Sequence, residues 1–309
     1  MKALKALVGR NTKMFFKDKG MFFTSLITPI ILLILYVSFL YNVYEDSFST
    51  AFPPEINVDE GVIKGLVGGL LLSSLLAVSC VTVSFCANLF MVHDKVTGAR
   101  NDLMIAPVKA HTLALGYYIS TAISGLVISF IATGLGLVYL AVTGWYLSAL
   151  DTLWMFLDVV LLVLFGTALS SLVCYPLTTQ GQISAVGTIV SSGYGFICGA
   201  YMPISSFSKG LQNVLSFLPG TYGTSLIRNH ALAGVYREME ALHYPNEVIQ
   251  TIRDVADCNL YFFGNAVEIW QMYVILVGSI VLLVGMYVLI HVLNAKKTVK
   301  NTKKQKTGK

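Results

Sequence analysis

Residues able to do chemistry are few in this chain, and their spacing excludes more than it proposes. One carboxylate, Asp158, lies inside the apolar run Trp154-Met155-Phe156-Leu157-Asp158-Val159. An ionisable group among hydrocarbon neighbours is either a site for coupling to a proton or ion, or a hydrogen-bonded structural carboxylate near an interface. The five histidines, His93, His111, His230, His243 and His291, show no H-E-x-x-H spacing, and no G-x-S-x-G positions a serine nucleophile. No acid–base pair falls in the apolar segments, so a metalloenzyme or an enzyme acting on lipid is disfavoured. The phosphate-cradling pattern G-x-x-x-x-G-K-[ST] is absent, and the sole Gly-Lys pair is Gly308-Lys309. Any ATP and magnesium are therefore expected on a separate polypeptide, with no cofactor in this chain. Cys80, Cys86, Cys174 and Cys198 fall in or beside apolar runs and Cys258 in a polar loop, without a C-x-x-C. Neither a disulfide framework nor a metal site is expected.

Three segments carry more than composition. From Gly193 to Arg228 an apolar helix is expected to reach Pro203 and stop, because proline removes a backbone donor. Phe207, Leu211, Val214, Leu215 and Leu218 then share one helical face. Leu218-Pro219-Gly220-Thr221 opens a second short helical piece, followed by Arg228. Broken helices at membrane depth are tolerated only where they are buried in protein or line a cavity. These pieces are therefore expected to dip back and lid a pathway, with Gly199, Pro203, Phe207, Leu211, Leu215 and Pro219 as an outer gate.

The second segment runs from His93 to Lys109. Thr97 is positioned to start a short helix over Gly98–Ile105, and Pro107 to end it. Arg100 and Asp102 beside Leu103-Met104-Ile105 suit docking into a protein groove; the alternative is a loop tucked against the bilayer. The third segment is the N-terminus. Leu4, Leu7, Val8, Met14 and Phe15 form a stripe with basic residues around it, which reads as an amphipathic helix along the inner membrane surface. It is either a plain anchor or a lever that a cytoplasmic partner pushes.

The elements that position these residues follow from hydropathy. The 309 residues are 55% hydrophobic and 12% charged, against about 25% charged in soluble domains. The chain reads as an all-α polytopic membrane protein with six transmembrane helices: Thr24–Tyr44, Leu66–Val92, Leu113–Thr143, Leu153–Cys174, Ile183–Met202 and Ile269–Leu293. Basic residues concentrate before the first run, between the second and third, and after Leu293; only Lys64, Lys209, Arg228, Arg237 and Arg253 fall on the other side. Both termini are thus expected to be cytoplasmic. The net charge of +5 comes from these flanks and is no sign of nucleic acid.

The resulting organisation is an amphipathic segment 1–23, a membrane domain 24–293 with an inner loop 93–112 and a structured outer loop 203–265, and a basic, solvated tail 294–309. Within the outer loop, Val248, Ile249, Ile252, Val255 and Ala256 share a face behind a cap at Asn246. Gly65-x-x-x-Gly69 and Gly195-x-x-x-Gly199 permit close helix approach. Ser170-Ser171, Thr178-Thr179-Gln180 and Gln182 either line an inner vestibule or form an ordinary interfacial loop.

Together these residues resemble the membrane subunit of ABC exporters of the ABC-2 type. Asp94, Gly98, Leu103 and Pro107 fit the inner-loop pattern of that family. Gly199, Pro203 and Ile204 fit its outer small-Gly-x-x-x-Pro pattern. Phe217, Leu218, Pro219, Thr221, Tyr222 and Arg228 approximate its later Leu-x-Pro-x-Thr…Arg pattern. The chain departs from the family at His93-Asp94-Lys95, where Glu-Arg or Arg-Glu is common, and at Ser208-Lys209-Gly210, where a proline is common. The resemblance implies an N-terminal connecting helix, a coupling helix that docks on a soluble P-loop ATPase, and re-entrant outer helices between spans five and six. It also implies pairing with a second copy or a similar permease, in a multi-pass arrangement in the cell membrane. The implied role is to move a drug, peptide, lipid or glycan outward. The competing expectation is an ion-coupled secondary transporter using Asp158.

Overall fold

The structure, a computed structural model, describes residues 2–56, 58–105 and 108–307. Helix α1 (Lys2–Lys17) meets α2 (Lys19–Leu35) at Asp18, whose carboxylate caps α2 by accepting the Met21 N–H at 3.1 Å. A π turn over Tyr36–Leu40 leads directly into α3 (Tyr41–Ala51), so the first apolar run stays helical beyond its expected end at Tyr44. Asp59 caps α4 (Glu60–Val96) through the Gly61 N–H at 2.6 Å. Then come α5 (Ala99–Ile105), α6 (Ala110–Thr143), α7 (Ala149–Cys174) and α8 (Gln180–Ile197). Reciprocal capping boxes open the last two, Ser148 with Asp151 and Thr179 with Gln182.

The part expected to lie on the outer side holds α9 (Lys209–Leu215), α10 (Pro219–Ala241), α11 (Asn246–Val255) and an antiparallel hairpin, β1 (Leu260–Phe262) and β2 (Asn265–Val267). The hairpin departs from an all-α expectation. Phe263 and Gly264, at φ 49° and 87°, make its two-residue connection, which demands positive φ at both positions. Last comes α12 (Ile269–Thr307), whose backbone stays helical through most of the lysine-rich segment expected to be a plain tail.

Among the described residues, five stretches are long and apolar enough to cross a membrane: Lys19–Ala51, Glu60–Val96, Ala110–Thr143, Ala149–Cys174 and Ile269–Asn294. The segment expected to be the fifth of six spans is instead α8. It has only 18 residues, ends at Ile197 before reaching Met202, and carries Gln180, Gln182, Ser184, Thr188, Ser191 and Ser192. Helix α4 is the axis of the molecule, its most apolar stretch wholly buried under α6, α7, α10 and α2. The Gly65-x-x-x-Gly69 spacing marks where α10 crosses it. A Cβ at Gly69 would lie 2.6 Å from Leu232 Cδ2, and one at Gly65 2.9 Å from Val235 Cγ2.

The faces of the amphipathic elements are shifted slightly from expectation. Helix α1 buries Leu7, Asn11 and Phe15, at i, i+4 and i+8, while Met14 points outward at 42% exposure. Helix α11 buries Val248, Ile249 and Ile252 and packs on α3. Asn246 is its first helical residue, not a cap, because Pro245 already holds the extended conformation before it.

Candidate functional site

The outer break is built around glycine, not proline. Helix α8 ends in a Schellman turn: Gly199 adopts φ +76°, its N–H reaches Phe196 O at 3.3 Å, and Ala200 N–H reaches Gly195 O at 2.8 Å. A Cβ on Gly199 would stand 2.8 Å from Ile204 Cγ1, so the position needs glycine for both conformation and space. Pro203 only directs the chain into the short 3-10 turn Ile204–Ser206. The helix expected to run to Pro203 has already stopped.

Arg228 organises everything after that stop. It is buried, and its Nη1 donates to Asp257 Oδ2 at 3.0 Å while Nη2 donates to Gly199 O at 2.6 Å and reaches Ser74 Oγ at 3.5 Å. Asp257 also accepts the N–H groups of Ile204 at 2.6 Å and Ser205 at 3.3 Å. One guanidinium and one carboxylate thus satisfy the backbone left open by the break, and tie it to α4 and to the turn after α11. Burial raises the Asp257 carboxyl above its ordinary range, against the lowering pull of Arg228 and the two backbone donors. Cys258, expected in a polar loop, is buried; its carbonyl accepts from Asn229 at 2.7 Å and Ser225 at 3.1 Å.

Helix α10 is not the short piece expected after Pro219. It has 23 residues and is buried along most of its length. It starts beside Phe165 and Tyr194, well along α7, and passes Leu162 at Gly223. Near Gly234 it reaches Tyr146, in the connection between α6 and α7, so it rises past the outer half of α7. The five residues expected to share one helical face, Phe207, Leu211, Val214, Leu215 and Leu218, do not share it. Leu215 is buried, Leu211 and Val214 are exposed, and Phe207 precedes α9. Helix α9 is too short to align all five apolar residues. Phe217 turns away from it onto Phe262 and Phe263, at ring separations of 5.2 and 5.8 Å.

Asp158 is fully engaged. Its Oδ2 lies 2.6 Å from His230 Nδ1 and its Oδ1 accepts the Tyr273 hydroxyl at 2.6 Å, joining α7, α10 and α12. Trp154 stacks on His230 at 5.8 Å. Neither partner could be read from spacing, since His230 is 72 residues from Asp158 and Tyr273 is 115. Asp158→Asn is expected to cost about 1.5–3 kcal/mol, the worth of a hydrogen bond to a charged group. A lowered thermal unfolding midpoint of the purified protein would register it.

At the end expected to face inward, Thr97 does not start a helix. It closes α4, its hydroxyl donating to His93 O at 2.9 Å, and Gly98 at φ +82° turns the chain into α5. Arg100 faces inward with its guanidinium carbon 5.8 Å from the centre of the Tyr175 ring. Lys95 donates to the carbonyls of Cys174, Tyr175 and Leu177, capping the end of α7. Tyr175 packs at 4.5 Å on His291, which also meets Tyr287 at 4.7 Å. Leu103 is half-buried against the core and Asp102 is exposed. Met104 lies in the α5 backbone, and Pro107 falls outside the described residues.

The N-terminal helix is fastened to the same end. Arg10 donates twice to Asp94, at 2.8 and 3.1 Å, and Tyr117 O–H donates to Asp94 Oδ2 at 2.7 Å. The hydrogen bond to Asp94 raises the Arg10 guanidinium above its already high ordinary value. The polar run near the ends of α7 and α8 has structural work. Asn88 Nδ2 donates to Ser170 and Ser171, each at 3.1 Å, and Thr179 and Gln182 cap α8.

No curated protein matches the chain. Comparison with protein families matches residues 2–231 to the family described as ABC-2 type transporter, from α1 into α10.

Proposed function

Because the chain belongs to the ABC-2 type transporter family, and so is a multi-pass ABC permease subunit, we propose that it couples to a separate ATPase to move cargo outward. In this reading α8 is the fifth of six spans, both termini are cytoplasmic, and the complex sits in the cell membrane. Two permeases, identical or similar, pair around the pathway. ATP and magnesium act on the soluble P-loop partner, and the cargo is a drug, peptide, lipid or glycan.

The observation that carries the proposal is the connectivity of the inner end. Helix α5 is held by Arg100 on Tyr175, and neighbouring Lys95 grips the carbonyl of Cys174 that ends α7 and that of Leu177 just beyond it. Force applied at α5 therefore reaches α4, α7 and, through Tyr175 and His291, α12. A loose loop would dissipate that force. At the outer end, the Arg228–Asp257 clamp holds the Gly199 break, leaving α9 with its exposed Leu211 and Val214 as the part free to face a second permease.

Asp102, exposed on α5, is the position to test. In a background lacking the native cysteines, Asp102→Cys is expected to cross-link to the co-expressed ATPase subunit. An intact complex that gives no adduct refutes docking at α5. The ion-coupled alternative needs Asp158 to exchange its proton with a pathway, whereas both its oxygens are already bound, by His230 and Tyr273. Transport is therefore expected to stop on ATP depletion and to survive collapse of the proton and sodium gradients.

A further inference from the structure

A cavity of about 420 Å³ lies between α8 and α12, and neither the clamp at Arg228 nor the inner latch uses it. Phe85 of α4 and Phe165 and Leu169 of α7 form its back wall; Leu218, Pro219 and Gly220 close one side. Its volume falls within the roughly 300–1,000 Å³ typical of small-molecule sites. Its lining offers nothing to a polar ligand. The Ser279 hydroxyl already donates to Leu276 O at 2.7 Å, and the Thr221 hydroxyl to Leu215 O at 3.1 Å. The Tyr194 hydroxyl makes no hydrogen bond, but it is buried and packed against Gly220, closed off from the cavity space.

A cavity with such walls does not hold water, because water there would have no partners. Beside its mouth stand Ile189 of α8 and Leu282 of α12, 69% and 60% exposed; the rest of the outward side of α8 is largely polar, but that of α12 is apolar, with Val274, Val281 and Leu289 also exposed. In a membrane protein the medium along such a face as that of α12 is hydrocarbon. We propose that this cavity is a binding site for one acyl chain of a bilayer phospholipid, entering sideways between α8 and α12. The chain end would rest against Leu218-Pro219-Gly220, directly beneath the start of α10, so the occupied site props the re-entrant segment from the membrane side.

The test uses the full chain in lipid nanodiscs containing phosphatidylcholine with a diazirine near the end of one acyl chain. Illumination is followed by peptide mapping. No ATPase or cargo is present, so the outcome is independent of the transport reading. Held chains label by site: half-buried Val190 and Leu283 should carry several-fold more adduct than Val281, which is 67% exposed. Val190→Trp and Leu283→Trp fill the space and should each abolish labelling at the other wall while leaving Val281 labelled, which also reports that the variant remains folded and embedded. Labelling that merely follows exposure, with Val281 strongest, overturns the proposal. So does labelling of the cavity walls that both tryptophans leave unchanged.

Discussion

Arg228→Leu is expected to destabilise the protein by about 3–5 kcal/mol, because removing one partner of a buried ion pair strands the other. The side chains of Arg228 and Asp257 are only 1% and 4% exposed, so solvent screens neither. The loss has a recognisable pH dependence. Without the guanidinium, desolvation dominates and the folded-state carboxyl rises further above its unfolded value of about 3.9. A group with a raised folded pKa contributes stability below the unfolded value, and that contribution disappears as pH rises through the folded value. The variant should therefore be less destabilised in acid than at neutral pH. Arg228→Leu combined with Asp257→Leu removes both charges and should recover part of the loss, the remainder reflecting the orphaned carbonyl of Gly199 and N–H groups of Ile204 and Ser205. Thermal unfolding of the detergent-solubilised chain at two pH values measures all three. If the single variant unfolds like the parent at neutral pH, the clamp does not hold the break.

The clamp also shows where sequence reading reaches its limit. Spans are legible because about 20 apolar residues in a row have few other uses, and five of the six expected runs recur with only extended ends. Helix α8 was the weak one because its polar residues sit on its outward side, where hydropathy alone cannot tell a pathway or partner-facing surface from a poor span. Gly199 and Pro203 stood close together, and sequence reasoning credited the proline. A left-handed glycine ends a helix as firmly, and its conformation is not written in the residue type. Asp94 and Arg228 were both visible as parts of family patterns. Their partners Arg10 and Asp257 were not, because a contact spanning 84 or 29 residues follows no local period. The length of α10 was hidden for another reason: Arg228, Asn229 and His230 make it look like surface, yet Asp257, Cys258 and Asp158 satisfy those groups inside the protein.

The Arg228 clamp and the Arg10–Asp94 pair share a design: each joins another helix to the central helix α4. At the outer end Arg228 reaches Ser74 of α4, and at the inner end Asp94 of α4 receives Arg10 of α1. Motion transmitted along α4 would thus be felt at both of its ends. This places the functional weight of the inner latch on geometry more than on stability, since Arg10 keeps 28% of its side chain exposed and solvent discounts the pair.

Asp94→Asn is accordingly expected to act on coupling. The asparagine carbonyl can still accept from Tyr117, but the charge that fixes both nitrogens of Arg10 is gone, and α1 loses its register on α4. In the reconstituted complex with its ATPase, ATP hydrolysis should persist while cargo moved per ATP falls by a large factor. Arg10→Lys should fall between the two, because an ammonium makes one strong contact where the guanidinium makes two. Arg10→Met should match Asp94→Asn, and the double variant should be no worse than either alone, giving an interaction free energy of about 0.5–3 kcal/mol in a double-mutant cycle. Parallel loss of hydrolysis and transport in Asp94→Asn would instead mean that the latch merely keeps the inner end folded. Unchanged transport per ATP would mean that α1 is a passive anchor lying on the membrane surface.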